Sequence, residues 1–501
     1  MTTEIWTKSQ ANIQDRRAVE AGVPFLSLME VAGAKAAQYI RQRFNQSINR
    51  VVVLVGKGAN GGDGLVLARH LAPYYAVVVK MLDGEPGFYG ARAMVDAAQK
   101  FGAAIQTGWS GSLDADLVVD GVFGTGFHGT LDHKAMLDIY QIIAHRGIPL
   151  IALDMLSGVA ANSGAYMGPP TKALATIAFG ASKWAHWGYP GAAMRGDLIV
   201  ADIGLGLFNE AVDHWLDPAL ATQWLPSLNV LGHKYSRGRV VVIGGSAGMG
   251  GAPVLAGMAA LRSGAGLVTL IVPRTVASRV NVPSTLLVHE APAAHGSLRW
   301  SDKESAACAR ADAIVFGPGL GGAVLPEVLE VIAALGKPMV VDADGLRLLS
   351  KMPRLTFLAP LVITPHSGEA AALLGRADID DDRPAATREL MQRYHARVIL
   401  KGAYSIVGDV DQLRVNPVGT KEMATPGSGD VLAGMVGSLM AQGMDAGMAA
   451  SLGAYWHGWA GLVGTEKYGE SLIATDIIDS IATARVRVHQ GVRPPGAPID
   501  M

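Results

Sequence analysis

The sequence predicts two consecutive α/β domains, each built on a largely parallel sheet, and three observations carry that expectation. The chain has 501 residues, more than one hydrophobic core usually organises. Short β-branched runs alternate with amphipathic segments, the pattern of βαβ units. The alternation restarts after a polar, proline-containing bridge, DPALATQWLPSLNVLGHKYSRG, with loops of quite different chemistry. The expected division is residues 1–220 and 221–501, the boundary placed to within about ten residues either way.

The first series runs VVVLVG, GLVLARHLA, AVVVKML, ARAMVDAAQKFG, ADLVVDGVFG, IPLIALD and DLIVADIG. Its first strand leads into GKGANGGDG, residues 56–64, where Gly56, Gly58 and Gly61 satisfy G-x-G-x-x-G and Asp83 ends the next strand. That is a dinucleotide fingerprint, with Asn60 and Asp63 as polar additions it does not need. A second loop, DGVFGTGFHGT, follows a strand ending at Asp120, and Gly124, Thr125 and Gly126 could fold N–H groups around a phosphate. A third, DMLSG, supplies Asp154 and Ser157, either of which could instead cap a helix. All three sit at the carboxyl ends of strands, where open α/β sheets bind ligands.

The second series is GRVVVIGG, AGLVTLIVP, DAIVFGPG, PMVVDAD, LVITPH and RVILKG. Then comes TPGSGDVLAGM, residues 425–435, placing Gly427, Ser428 and Gly429 at the start of a long apolar helix. Unpaired N–H groups and the helix dipole attract anions there, and glycine lets a phosphate come close. Asp430 is either a helix-start carboxylate or a general base aimed at a hydroxyl beside a transferable phosphate. Its company includes KGAYSIV with Lys401, Gly402 and Ser405, GPGLGG at 317–322, and TPHSGEA with His366 and Glu369. A lone His at a strand end is otherwise a packed or solvent-facing residue.

Composition limits the partners. With 42 basic and 43 acidic side chains, the chain has no electrostatic footprint for nucleic acid or an anionic membrane, so small molecules are the expected substrates. A single cysteine, Cys308, permits no intrachain disulfide and reads as helix packing in a reducing compartment. The N-terminal MTTEIWTKSQANIQDRR carries charges where an export signal needs an apolar run, so a cytoplasmic protein is expected. Residues 446–464 lack Asp, Glu, Lys and Arg, yet their Gly and Ala content and His457 favour a buried helix over a membrane span.

GxGxNGGDG, DxxFGTG, DxxSG, AFGASKWAHWGYPG and ADIG together resemble the epimerase domain of the NAD(P)H-hydrate repair family. From about His233 to Gly464, HKYSRGRVVVIGGSAGMGGAP, FGPGLG, VVDADGL, ITPHSGEA, LKGAYSIV and TPGSGDVLAGM resemble its dehydratase domain. The resemblance implies a Rossmann-like three-layer domain followed by a ribokinase-like α/β domain. The first would interconvert the R and S epimers of NADH and NADPH hydrates, with potassium held by Asn60, Asp120 and Ser157, a donor set of hard oxygens. Asn60, Gly61, Gly62, Asp63 and Gly64, with Gly124, Thr125, Gly126, Phe127, His128, Gly129 and Thr130, would hold the hydrate, and Asp120 and Asp154 would be catalytic.

The second domain would phosphorylate the S hydrate's hydroxyl with ADP, Mg2+ accompanying the nucleotide, and release AMP and phosphate. Lys401, Gly402, Ala403, Tyr404, Ser405 and Gly429 would contact the nucleotide; Ala252, Gly317, His366 and the base Asp430 would line the hydrate site. Self-association is also implied. The chain departs from the family pattern at Leu156 for proline, at Trp184 and Ala185 in a Lys-Pro-Gly-like turn, at Tyr235 for glycine, and in VPSTLLV, which lacks an acidic residue. Two other readings are a vitamin-type kinase with an accessory nucleotide-binding domain, and a first half that only binds a ligand or partner.

Overall fold

The computed structural model describes residues 2–45, 47–206, 208, 212–227, 231–294, 297–322 and 324–501. It divides into two compact units, Met1–Asp213 with Gly496–Met501, and His214–Pro495. The break after Asp213 is within ten residues of the position near 220 read from the sequence. The proline-containing bridge is not a free linker: Asp217 caps the helix Pro218–Trp224, and Thr222 Oγ1 donates to Val488 O at 2.6 Å within the second unit. Residues 228–230 of that bridge lie outside the described residues. The last residues also leave the expected second half, because Ile499 and Asp500 pair in parallel with Ile199 and Val200.

In the first unit an eight-stranded sheet runs in the order Ile499–Asp500, Asp197–Ala201, Ala175–Phe179, Leu150–Leu153, Leu117–Gly121, Arg50–Val55, Ala76–Met81, Ala104–Thr107. Every pairing is parallel, and helices cover the faces, which is why the inner strands read as unbroken Val, Ile and Leu. Arg50–Val55 has a later strand on either side, so the chain order reverses at that point. The helices Phe25–Phe44 and Ala59–Leu71 pack so closely that a Cβ on Gly33 would lie 2.5 Å from Val66 Cβ.

The second unit repeats the logic. Leu287–Ala291, Leu267–Pro273, Arg239–Ile243, Ala313–Phe316, Met339–Val341, Leu361–Ile363 and Arg397–Leu400 are neighbours in that order and parallel. Ile406–Asp409 and Gln412–Val415 then continue it antiparallel. Arg239–Ile243 is the strand at which the order reverses. Against the sheet lies Ser428–Ala441, almost wholly buried, where a Cβ on Gly434 would meet Ala256 O at 2.0 Å. Residues 446–464 fall in the buried helix Ala446–Tyr468, and among the described residues no helix is long and apolar enough to cross a membrane.

Candidate functional site

In the first unit the two glycine loops leave Arg50–Val55 and Leu117–Gly121, the adjacent strands where the sheet order reverses. They open a cleft of about 570 Å³ lined by Asp15, Lys57, Asn60, Asp63, Asp83, Gly124, Thr125, Gly126, Phe127, Asp154 and Lys183, over an apolar wall that includes Trp6, Met29 and Phe179. This is the crevice expected of a doubly wound sheet.

Asp120, near the end of the strand Leu117–Gly121, is fully buried. Its Oδ1 accepts from Ser157 Oγ at 2.7 Å, and its Oδ2 accepts from Ser157 N at 2.9 Å and Tyr140 OH at 2.7 Å. Burial raises its carboxyl above the ordinary range, and these donors act against that rise. Ser157 Oγ in turn accepts from Phe123 N at 2.9 Å, tying the third loop to the second. Asn60 Nδ2 donates to Leu153 O at 3.1 Å, but its Oδ1 is buried without a hydrogen-bond partner. An orphaned acceptor of this kind costs about 1–3 kcal/mol unless something satisfies it. Amide oxygen, carboxylate and hydroxyl together fit a hard monovalent cation. Groups of three or more His, Cys, Asp or Glu able to hold a metal do not occur among the described residues.

Asp154 follows the strand Leu150–Leu153 with a left-handed φ of 60°. A non-glycine residue there is strained, a feature that concentrates at functional sites. Lys183 Nζ lies 2.5 Å from Asp154 Oδ1 and 2.7 Å from Phe179 O, while the His186 ring bonds Asp154 O at 2.8 Å. Burial first, then Lys183, pushes His186 down to about 3, so the ring is neutral. The changed residues after Lys183 leave its ammonium on Asp154, and Trp184 Nε1 finds Asp213 Oδ2 at 3.0 Å. Motif reading left Lys183 without a role. Its separation from Asp154 in sequence hid the pair.

Gly61, Gly62 and Gly64 are buried packing positions: added Cβ atoms would meet Gly56 O at 2.1 Å, Met29 Sδ at 2.6 Å and Val53 Cγ1 at 3.3 Å. His128, Gly129 and Thr130 are exposed and do not line the cleft. Asp83 is held by His133 Nε2 at 2.9 Å.

In the second unit Gly427 takes φ 89° at the start of Ser428–Ala441, and Asp430 stands in the first turn. Lys401 Nζ lies 2.9 Å from Asp342 Oδ1 and 3.7 Å from Glu369 Oε2. A Cβ on Gly429 would stand 3.2 Å from Lys401 Nζ and 3.6 Å from Asp342 Oδ2, which brings the helix start, the lysine and Asp342 together. Burial, then Asp342, pushes Asp430 up to about 7, with Lys401 opposing. Burial works against the Lys401 ammonium, yet Asp342 and Glu369 outweigh it and its value is raised.

Gly317 joins this cluster with φ 127°, where a Cβ would fall 1.8 Å from Asp342 O. Ala252 is next to the same loop, its Cβ 3.0 Å from a Cβ built on Gly319. His366 caps the helix Ser367–Leu374, its Nδ1 accepting from Gly368 N at 3.0 Å and Glu369 N at 3.3 Å. Gly402 to Ser405 form a tight turn in which Ser405 Oγ donates to Gly402 O at 2.9 Å. Buried Arg383 holds that turn through the carbonyls of Leu400, Lys401 and Ala403. Asp342 and Arg383 were not singled out from sequence. VVDADGL ends a strand in acid and signalled the first; nothing near Arg383 signalled the second.

Two loop-lined sites at the carboxyl ends of strands in two largely parallel sheets are the arrangement of a bifunctional enzyme acting on small molecules. A family model described as NAD(P)H-hydrate dehydratase matches residues 240–483, and one described as YjeF-related protein N-terminus matches residues 26–185. The bifunctional NAD(P)H-hydrate repair enzyme Nnr of Moorella thermoacetica is 38% identical over 487 residues, covering 91% of this chain and 92% of its own. The Escherichia coli enzyme of the same name is 34% identical over 507 residues, covering 95% and 93%. A crystal structure of the ADP/ATP-dependent NAD(P)H-hydrate dehydratase from Bacillus subtilis, co-crystallised with ATP/Mg2+, is 23% identical with a TM-score of 0.48, covering 56% of this chain and all of that one. The chain belongs to the family of bifunctional NAD(P)H-hydrate repair enzymes. Its first unit is Rossmann-like and its second ribokinase-like, as the motifs implied.

Proposed function

We propose that the first unit interconverts the R and S epimers of NADH and NADPH hydrates, and that the second uses ADP to dehydrate the S form, acting in the cytoplasm. The observation that carries this reading is Asp430 at a helix N-terminus beside the Lys401–Asp342 pair, with a value near neutrality.

Asp430 takes the proton of the hydrate's hydroxyl as its oxygen attacks the terminal phosphorus of ADP and AMP departs. The N–H groups at Gly427 to Gly429 steady the phosphoryl oxygens. Phosphate then leaves with the former hydroxyl oxygen, the neighbouring carbon loses a proton, and the dihydropyridine ring is restored. Mg2+ would arrive on the nucleotide and neutralise phosphate charge. Lys401 keeps Asp342 paired beside the base, and the Gly402–Ser405 turn is the proposed nucleotide contact.

In the first unit Asp154, fixed by Lys183, exchanges the proton of the hydroxyl as the ring opens and recloses. Asn60, Asp120 and Ser157 would hold potassium, which supplies a fixed positive charge at the cleft floor.

The test is recovery of nicotinamide absorbance from mixed R and S NADH hydrate with ADP. The intact chain should recover it all, Asp430→Asn none, and Asp154→Asn only the S fraction at full rate. AMP and free phosphate should appear in equal amounts. A stable phosphorylated product would instead make the second unit a kinase.

A further inference from the structure

We propose that Asp63 is the second catalytic group of the epimerase site, the acid that hands a proton to the ring nitrogen while Asp154 takes one from the hydroxyl. The proposal rests on the epimerase reading of the first unit.

Asp63 lies on the helix Ala59–Leu71, and its carboxyl lines the same cleft as Asp154. The residue is only 9% exposed, yet its carboxyl makes no hydrogen bond or ion pair with any described residue. Its neighbours differ. Asp154 Oδ1 is held by Lys183, Asp120 accepts from Ser157 and Tyr140, and Asp83 is held by His133. Asp15, on Lys8–Glu20, is more open to solvent.

A carboxylate with so little exposure, no donor among the described residues and other acids in its cleft is costly to charge, whereas a neutral carboxyl is far less so. Burial first, then Asp154 and Asp15, holds Asp63 well above the ordinary range, and Lys183 opposes them. Two acids in one cleft, one ion-paired and one that holds its proton more tightly, are the arrangement that divides base from acid.

The step balances without an external reagent. Asp154 removes the hydroxyl proton, the C–O bond becomes a carbonyl, and the bond from that carbon to the ring nitrogen breaks. The nitrogen takes the proton of Asp63. Rotation about the adjoining C–C bond presents the carbonyl's other face. The nitrogen then re-forms its bond and returns its proton to Asp63, while the oxygen recovers its proton from Asp154. Nothing is oxidised or reduced.

The experiment follows R-to-S exchange of NADH hydrate chromatographically, without ADP and in KCl, across pH, for the full chain and for Asp63→Asn and Asp154→Asn. Asp63→Asn should lower kcat by about 10²–10⁴-fold with KM changed by less than about threefold. The intact chain's rate should fall as pH rises through the Asp63 value, and that limb should vanish in Asp63→Asn. Lys8, Asp15, Lys57, Asp83, Asp154 and Lys183 share the cleft and His186 backs Asp154, so the limb is assigned only by its loss in this variant. Exchange by Asp63→Asn near the intact rate, or a loss confined to KM, overturns the proposal and leaves the epimerase reading standing. An intact chain whose rate shows no high-pH fall overturns it even if the variant does not fold. An intact chain without exchange removes the epimerase reading and the proposal with it.

Discussion

Lys401 donates to Asp342 Oδ1 at 2.9 Å, and the backbone of Gly429 rests against that pair one residue before Asp430. Burial and Asp342 raise the Asp430 carboxyl while Lys401 restrains it, leaving about 7. A general base must be ionised, so kcat/KM for ADP-driven dehydration should rise with pH up to about 7 and level off above it. Asp430→Asn should cost about 10²–10⁴ in kcat and leave epimer exchange unchanged. A pH–rate profile of the intact chain, with S hydrate as substrate, checks the first point.

The same raised value has a consequence for stability. The folded state holds the Asp430 proton more tightly than the unfolded chain, whose value is near the ordinary 3.8, so this group's stabilisation is complete below about pH 4 and is lost as pH rises through about 7. Asp430→Asn does not titrate. Its melting temperature should therefore exceed that of the intact chain by more at pH 8 than at pH 5, measured by calorimetry on the transition of the second unit.

Lys401→Met tests the pair itself. Among the described residues, Asp342 would keep the side-chain hydrogen bond from Thr364 Oγ1 at 2.6 Å, deep in the second unit. Breaking a buried pair on one side costs about 3–5 kcal/mol. With Lys401 gone, nothing opposes the rise at Asp430, so the acid limb of the dehydration profile should move to higher pH. Denaturant melts and the pH–rate profile read the two effects separately.

Gly317→Ala should act through backbone alone. At φ 127° an alanine is strained by about 1–3 kcal/mol, and its Cβ would collide with Asp342 O. Dehydration should fall with the stability of the second unit while epimer exchange holds. Rates of both half-reactions on one preparation make the comparison.

Much of this architecture could be read from the chain because parallel strands buried on both faces appear as bare Val and Ile runs. GSGD was legible for a local reason: glycines, a helix and a carboxylate are contiguous there. Lys183 and Asp154 meet only because the chain crosses the sheet before returning, and no local pattern reports that. Asp15 was hidden similarly, since the N-terminal helix reads as charged surface until its contribution to the cleft is seen. The glycines at 61, 62 and 64 are packed tightly against Gly56, Met29 and Val53, contacts that no local spacing reports. Polar composition does not reveal that the bridge forms a capped helix packed into the second unit, and the two-residue strand at Ile499 is too short to show periodicity.

Asn60 gives the last prediction. Its Oδ1 is a buried acceptor without a partner, and the family resemblance assigns it to potassium together with the likewise buried Asp120 and Ser157. If potassium satisfies that oxygen, KCl should raise the melting temperature of the first unit above choline chloride at equal ionic strength, by the equivalent of about 2.7 kcal/mol at a hundredfold excess over Kd. Asn60→Ala should abolish the KCl effect. In choline chloride the same substitution should cost only about 1 kcal/mol, because the hydrogen bond it removes is the one from Nδ2 to Leu153 O. Sodium chloride separates a cation site from general salt screening. Equal melting in all three salts would leave water, rather than potassium, as the partner of Asn60 Oδ1.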